Sequence, residues 1–193
     1  MNYDLIVIGG SWGGMTAVSV VLDGLSDEVE EPIAVVLHRA SDAPTGGLAS
    51  VLQHHARRRV ADVEDKDPIE RNRIYLAPPD YHLLVERGWF SLSIDERVHY
   101  ARPSIDVLFE SAADAYGARV IGLVLTGAND DGARGLAAIK AAGGVALVQD
   151  PETSERRRMP DAAIAATHAD AVLPLDDIAP FLYGLCCTPQ VSV

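Results

Sequence analysis

Cysteine is nearly missing from the chain: of 193 residues only Cys186 and Cys187 carry thiols, side by side near the C-terminus. Adjacent cysteines cannot brace a disulfide framework or space themselves as zinc ligands, so both read as reduced packing residues. Long apolar runs are lacking too. No window approaches the ~20 apolar residues of a membrane span, and Asp4 breaks the first run almost at once, so no direct membrane insertion is expected. No basic residue precedes Arg39; a secretory signal would need a basic n-region, and a cytoplasmic location is the expectation. Positive charge is scarce overall, with 16 Lys and Arg against 28 Asp and Glu and a net charge of −12. That field repels nucleic acid and anionic lipid, so nucleic acid is not an expected partner. Two arginine triplets, Arg57 to Arg59 and Arg156 to Arg158, are local exceptions.

What is present is ample core-forming material. Apolar residues make up 48% of the chain, which excludes intrinsic disorder, and the length suits a single domain over residues 1–193. Runs rich in β-branched residues predict strands at 5–8, 33–37, 74–77, 120–125, 145–148 and 171–173. Helical patterns fall between them, at about 13–23, 46–58, 103–116, 131–142, 160–167 and 175–186. Several strands are apolar on both faces. The alternation predicts a doubly wound α/β fold: a mostly parallel sheet with helices on both faces. A small β-hairpin, 83–86 with 90–93, is expected as an insertion after the third strand. The stretch 62–73 is polar and without clear periodicity.

Ligands of open parallel sheets sit at the carboxyl ends of the strands. The first predicted strand ends in Gly9-Gly10-Ser11-Trp12-Gly13-Gly14, the second in His38-Arg39, and that at 120–125 in Thr126 to Gly132. Gly9-x-Ser11-x-Gly13 has the spacing of a nucleophile elbow, where small neighbours let a serine sit on a sharp strand-to-helix turn. Taken alone, the same residues also fit a tight turn with Ser11 capping the helix. A dinucleotide fingerprint is not met, because Ser11 stands at the middle glycine position. His38 ends an apolar strand, out of pattern. An imidazole there is either a hydrogen-bonded boundary residue or the base that a serine hydroxyl needs. Asp130 and Asp131 are each placed to orient it or to cap the next helix, and spacing does not choose between them.

Five ordered segments together resemble one family: 7–14 (VIGGSWGG), 35–38 (VVLH), 74–82 (IYLAPPDYH), 102–109 (RPSIDVLF) and 125–133 (LTGANDDGA). They are similar to the catalytic domain of CheB, the protein-glutamate methylesterases of bacterial chemotaxis, across residues 4 to about 182. The resemblance implies a serine hydrolase with Ser11 as nucleophile, His38 as base and Asp131 as orienting acid. It also implies an oxyanion held partly by the backbone amide of Ala128, a side activity on glutamine amides, and no cofactor or metal. The implied substrate is a methylated chemoreceptor-like protein. Departures from the family pattern are Trp12 for a small hydroxyl residue, Ala128 for Met, Asn129 for Gly and Asp130 for Asn. Trp12 is expected at the mouth of the pocket, shaping substrate access. The usual N-terminal receiver domain has no counterpart before the first strand, so a stand-alone domain controlled by a separate receiver protein is expected.

Two other readings stand beside this one: a catalytically impaired binding module with Trp12 filling the site, and a small-molecule carboxylesterase. Retention of Ser11, His38 and Asp131 argues against the first. Arg156, Arg157 and Arg158, with Arg39, are the expected docking charges for an acidic partner; Arg57 to Arg59 suit a solvated helix end better.

Overall fold

The computed structural model describes residues 3–187. In chain order its strands and helices are β1 (Leu5–Gly10), α1 (Gly14–Gly24), β2 (Ile33–Leu37), α2 (Gly47–Gln53), β3 (Arg59–Asp62), β4 (Arg73–Leu76), β5 (His82–Glu86), β6 (Trp89–Ser93), α3 (Ile105–Tyr116), β7 (Val120–Val124), α4 (Ala133–Ala141), β8 (Val145–Gln149), α5 (Arg158–Ala166), β9 (Ala171–Leu173) and α6 (Ile178–Cys187). Seven strands form one sheet in the order β3-β4-β2-β1-β7-β8-β9, with every pairing parallel. The chain passes from β1 to β2, out to the edge strand β3 and back one place to β4, then crosses to β7 on the other side of β1. That reversal opens a crevice beyond the carboxyl ends of β1 and β7.

The doubly apolar strands have the burial their composition demands. Every residue of β1, β2 and β7 is buried. One set of side chains, including Ile6, Ile8, Ile33 and Leu123, packs with Val18 and Val21 of α1 and Leu182 of α6. The alternate set, including Leu5, Val7, Val36 and Val124, meets Leu108 and Phe109 of α3 and Leu136 of α4. Helices therefore cover both faces, as expected. The inserted hairpin is β5 with β6, antiparallel, closed through Arg87 and Gly88. Burial, reinforced by the nearby Glu31 charge, pushes the Cys186 thiol up to about 12, in keeping with a neutral packing residue. Among the described residues no helix is long and apolar enough to cross a membrane.

One element departs from expectation. The helix expected over 46–58 ends at Gln53, and Arg59–Asp62 forms an edge strand. Gln53 makes the change of direction: its Oε1 accepts from the Val60 amide at 2.9 Å and its Nε2 donates to the Arg58 carbonyl at 2.9 Å. With only Val60 fully buried, the strand has no apolar run to announce it.

Close packing ties α3 to the end of β1. A Cβ at Gly9 would lie 2.2 Å from Ile105 Cγ2, the first side chain of α3, and one at Gly132 would lie 2.7 Å from the same atom. Ile105 thus fills the space left by two glycines, one at the end of β1 and one before α4. Gly9→Ala should lower stability by about 1–3 kcal/mol through overpacking. Urea unfolding checks this against Gly184→Ala in α6, where none of the described residues lies within 4 Å of the added carbon; there a gain of up to about 1 kcal/mol is expected.

Candidate active site

Ser11 is the first residue beyond β1. Its amide donates to Thr126 O at 3.0 Å, and its carbonyl accepts from Gly14 at 2.8 Å. The turn passes through Gly13 at φ 76°, a left-handed conformation suited to glycine. Gly13 is also the N-cap of α1, which receives no side-chain cap bond. The capping role open to Ser11 is therefore not taken, and its hydroxyl has no hydrogen-bond partner among the described residues.

His38 follows β2, anchored by its amide to Gly10 O at 3.2 Å. Its Nε2 lies 2.7 Å from Asp131 Oδ2. A carboxylate oxygen accepts, so Nε2 carries the proton and Nδ1 is the basic nitrogen. Asp131 is fully buried, and both of its oxygens are saturated. Oδ2 also accepts from the Ile105 amide at 2.7 Å, while Oδ1 accepts from the Ser104 hydroxyl at 2.8 Å and the Asp106 amide at 2.9 Å. Burial alone would raise this carboxyl, but the bonds from His38 and from the Asp106 and Ile105 amides outweigh it and hold it below the ordinary aspartate value. Asp106 returns the exchange, its Oδ1 accepting from the Gly132 and Gly135 amides at 2.9 and 2.8 Å. Its own carboxyl is pushed up by burial, against the pull of the Gly135 bond and with help from the Asp131 charge.

Ser11 and His38 line one cavity of about 350 Å³, walled by apolar groups including Met15, Leu37, Pro44 and Val51. No hydrogen bond joins Ser11 to His38 among the described residues. Instead the Asn129 amide nitrogen lies 3.4 Å from His38 Nδ1, while its Oδ1 accepts from the Asp131 amide at 3.2 Å. Asn129 thus competes for the lone pair that would activate Ser11. The structure also separates the two aspartates: Asp130 pairs with Arg158 at 2.8 Å on the surface, and Asp131 alone meets His38.

The remaining sequence-selected residues fall elsewhere. Trp12 is 57% exposed and lies outside the lining of the cavity. Its Nε1 donates to Glu155 Oε1 at 2.6 Å, and the Arg156 guanidinium sits 5.1 Å from its ring centroid. It holds the loop after β8 and leaves the mouth of the cavity open. Ala128 is exposed, and no hydrogen bond among the described residues uses its amide. Arg39 does line the cavity but is tied to Asp62 and to the Ala77 carbonyl, so it is not a projecting charge. Arg157 is neutralised by Asp161 and Glu152, and Arg158 by Asp130. Of the expected docking charges only Arg156 has no acidic partner among the described residues. Arg57 pairs with Asp27, and Arg58 is buried on the Glu31 carbonyl.

Sequence reasoning did not assign roles to Ser104, Asp106 or Asn129. Ser104 falls within the helix expected over 103–116, but the partner of its hydroxyl, Asp131, lies 27 residues away. His99, Asp106 and Asp131 bring donor atoms within 4.8 Å of one another. A cation there would compete with the donors that already occupy both Asp131 oxygens.

Two outcomes follow from this geometry. Asn129→Gly should free His38 Nδ1 and raise kcat by about two- to tenfold, on the scale of one weak hydrogen bond; steady-state kinetics checks it. Asp131 has a lowered carboxyl, so its stabilising contribution is present above its unfolded value of about 3.9 and is lost as pH falls through the lower folded value. The stability gap between wild type and Asp131→Asn should therefore shrink below about pH 4 in urea titrations.

The sequence profile described as CheB methylesterase matches residues 6–182. A Leptospira interrogans protein named "Putative protein-glutamate methylesterase/protein-glutamine glutaminase" is 47% identical over 180 residues, covering 93% of each chain. An Anaeromyxobacter dehalogenans protein named "Protein-glutamate methylesterase/protein-glutamine glutaminase 2" is 43% identical over 175 residues, 91% of this chain and 51% of its own. The crystal structure of the Thermotoga maritima CheB methylesterase catalytic domain superposes with a TM-score of 0.87 at 31% identity, covering 96% of this chain and 100% of that one. A half-buried elbow serine, a histidine braced by a buried aspartate, and these matches over nearly the whole length lead to one assignment: the chain belongs to the CheB methylesterase family.

Proposed function

We propose that the protein hydrolyses γ-methyl esters of glutamate side chains on a methylated chemoreceptor-like protein. One observation carries the reading of the site: the bond from His38 Nε2 to the saturated, ionised Asp131 leaves the opposite ring nitrogen basic on the cavity that holds the unpartnered Ser11 hydroxyl. Activation of Ser11 requires Nδ1 to exchange its contact with Asn129 for the Ser11 hydroxyl across the cavity that both Ser11 and His38 line. His38 then accepts the Ser11 proton as Oγ attacks the ester carbonyl, and the imidazolium formed faces the Asp131 carboxylate. The resemblance implies the Ala128 amide as one donor to the tetrahedral oxyanion; that amide makes no hydrogen bond among the described residues, and the N-terminus of α1 after the elbow adds its positive end. His38 returns the proton to the departing methoxide, releasing methanol. Water, deprotonated by the same nitrogen, hydrolyses the glutamyl-serine ester and regenerates Ser11. A glutamine amide would follow the same steps with ammonia as leaving group.

The apolar walls suit this substrate. A methyl ester is neutral and enters without losing a charge shell, whereas the product carboxylate is poorly solvated there and leaves. Methanol release from a methyl-esterified receptor fragment tests the proposal. Ser11→Ala should abolish it, and Asp131→Asn should lower kcat by roughly 10²- to 10⁴-fold. Asp130→Asn, changing only a surface ion pair, should leave it within about twofold. Equal effects of the two aspartate changes would sink the assignment of Asp131. Turnover of an aryl ester without the protein ester would favour the small-molecule esterase, and turnover of neither would favour a binding module.

A further inference from the structure

His82, the first residue of β5, is 1% exposed, and the catalytic chemistry above does not use it. Both of its ring nitrogens are engaged. Nε2 lies 3.0 Å from the Glu96 carbonyl, and Nδ1 lies 3.2 Å from the Ser104 amide nitrogen. A carbonyl only accepts and an amide N–H only donates, so the ring is neutral, with its proton on Nε2 and a lone pair on Nδ1. Ser104, also fully buried, stands at the N-cap of α3 yet makes no side-chain bond to its own helix. Its hydroxyl donates to Asp131 Oδ1 instead, at 2.8 Å. The cap is supplied from outside, by Asp131 on the Ile105 and Asp106 amides.

A continuous chain results: Glu96 carbonyl, His82 ring, Ser104 backbone and hydroxyl, Asp131 carboxylate, His38 ring. Each link has a defined direction, and each inner member is buried. The Ser104 hydroxyl reaches Asp131 Oδ1 from a backbone that is itself held on His82. The carboxylate plane of Asp131, which determines where His38 Nδ1 points, therefore depends on the hairpin as well as on α3.

We propose that His82 is a positioning residue for the esterase reaction, fixing Asp131 through Ser104 and so aiming His38 at Ser11. The inference rests on the proposed function for its kinetic readout, and on the hydrogen-bond geometry for its second readout. It also gives the inserted hairpin a functional part: the strand that begins at His82 anchors the start of α3.

Two isosteres separate positioning from simple core packing. Asn places an acceptor near the Nδ1 position, facing Ser104. Gln places a donor near Nε2, facing Glu96, and leaves the Ser104 amide without an acceptor. His82→Gln and Ser104→Ala should each lower kcat by about 10- to 100-fold, as expected of a displaced catalytic group, with KM within about twofold. His82→Asn should recover most of that loss. In proton NMR, the downfield His38 Nε2–H resonance should move in His82→Gln and Ser104→Ala and return toward its wild-type position in His82→Asn. Thermal melting of all three variants identifies losses that merely track stability. Equal loss in the Asn and Gln variants, or full activity in the Gln variant, would overturn the proposal. If the wild-type chain releases no methanol, the proposed function fails on its own, and the His38 resonance decides the role of His82.

Discussion

The site depends on an exchange of carboxylates between two helix starts. Asp131, in the turn before α4, accepts the first amides of α3; Asp106, in the first turn of α3, accepts the Gly132 and Gly135 amides at the start of α4. Amides at a helix N-terminus have no partners within the helix, and a buried carboxylate without donors is costly. Each deficit here satisfies the other, in the part of each helix where the macrodipole favours negative charge. Asp131 has enough donors to stay ionised while completely buried. Asp106 has fewer, with Oδ2 lacking a hydrogen bond, and its carboxyl is displaced upward. Two aspartates in one polar cluster are thus pushed in opposite directions, and the one pushed down is the one that touches His38.

A second tie joins the elbow to the far side of the crevice. Thr126 Oγ1 accepts from the Arg156 amide at 2.8 Å and approaches the Trp12 carbonyl at 3.0 Å. Trp12 reaches the same loop through Glu155, and Glu155 lies so close to Gly13 that a Cβ there would meet its Oε2 at 2.6 Å. The large residue after Ser11 is explained by this contact. An indole has an N–H for the carboxylate and a ring face for the Arg156 cation. Its bulk is directed along the surface, and the cavity beside Ser11 is bounded by α2 and the segment before it.

The sheet was legible because its central strands are apolar on both faces, a pattern that only helices on both sides can satisfy. Ser11 was legible through the spacing of its glycines, and His38 because a polar ring ended an apolar strand. Residues whose meaning depends on a distant partner were not legible. Asp130 and Asp131 look alike in sequence; they diverge because one side chain faces Arg158 in solvent and the other lies under the start of α3. Ser104 falls within an expected helix, and its bond to Asp131 is a tertiary fact. The arginine run at 156–158 reads as concentrated charge, yet two of its members find acidic neighbours one helical turn or one loop away. Strand β3 escaped notice for the converse reason: its place is secured by the Gln53 side chain and backbone pairing, with little apolar signal of its own.

That neutralisation changes how an acidic enzyme would meet an acidic receptor. With a net charge of −12 and, among the described residues, only Arg156 of the expected docking charges without an acidic partner, strong attraction to a fully acidic surface is not built in. On the proposed function it is not needed. Each methyl ester removes one negative charge from the receptor segment, so the modified segment is the less repelled form. Hydrolysis restores that charge inside an apolar cavity on a negatively charged protein, and repulsion then acts on the product. The same field that weakens non-specific encounters thereby discriminates between ester and acid. Its reach is about 8 Å at physiological salt, so it acts at the crevice and not across the whole receptor.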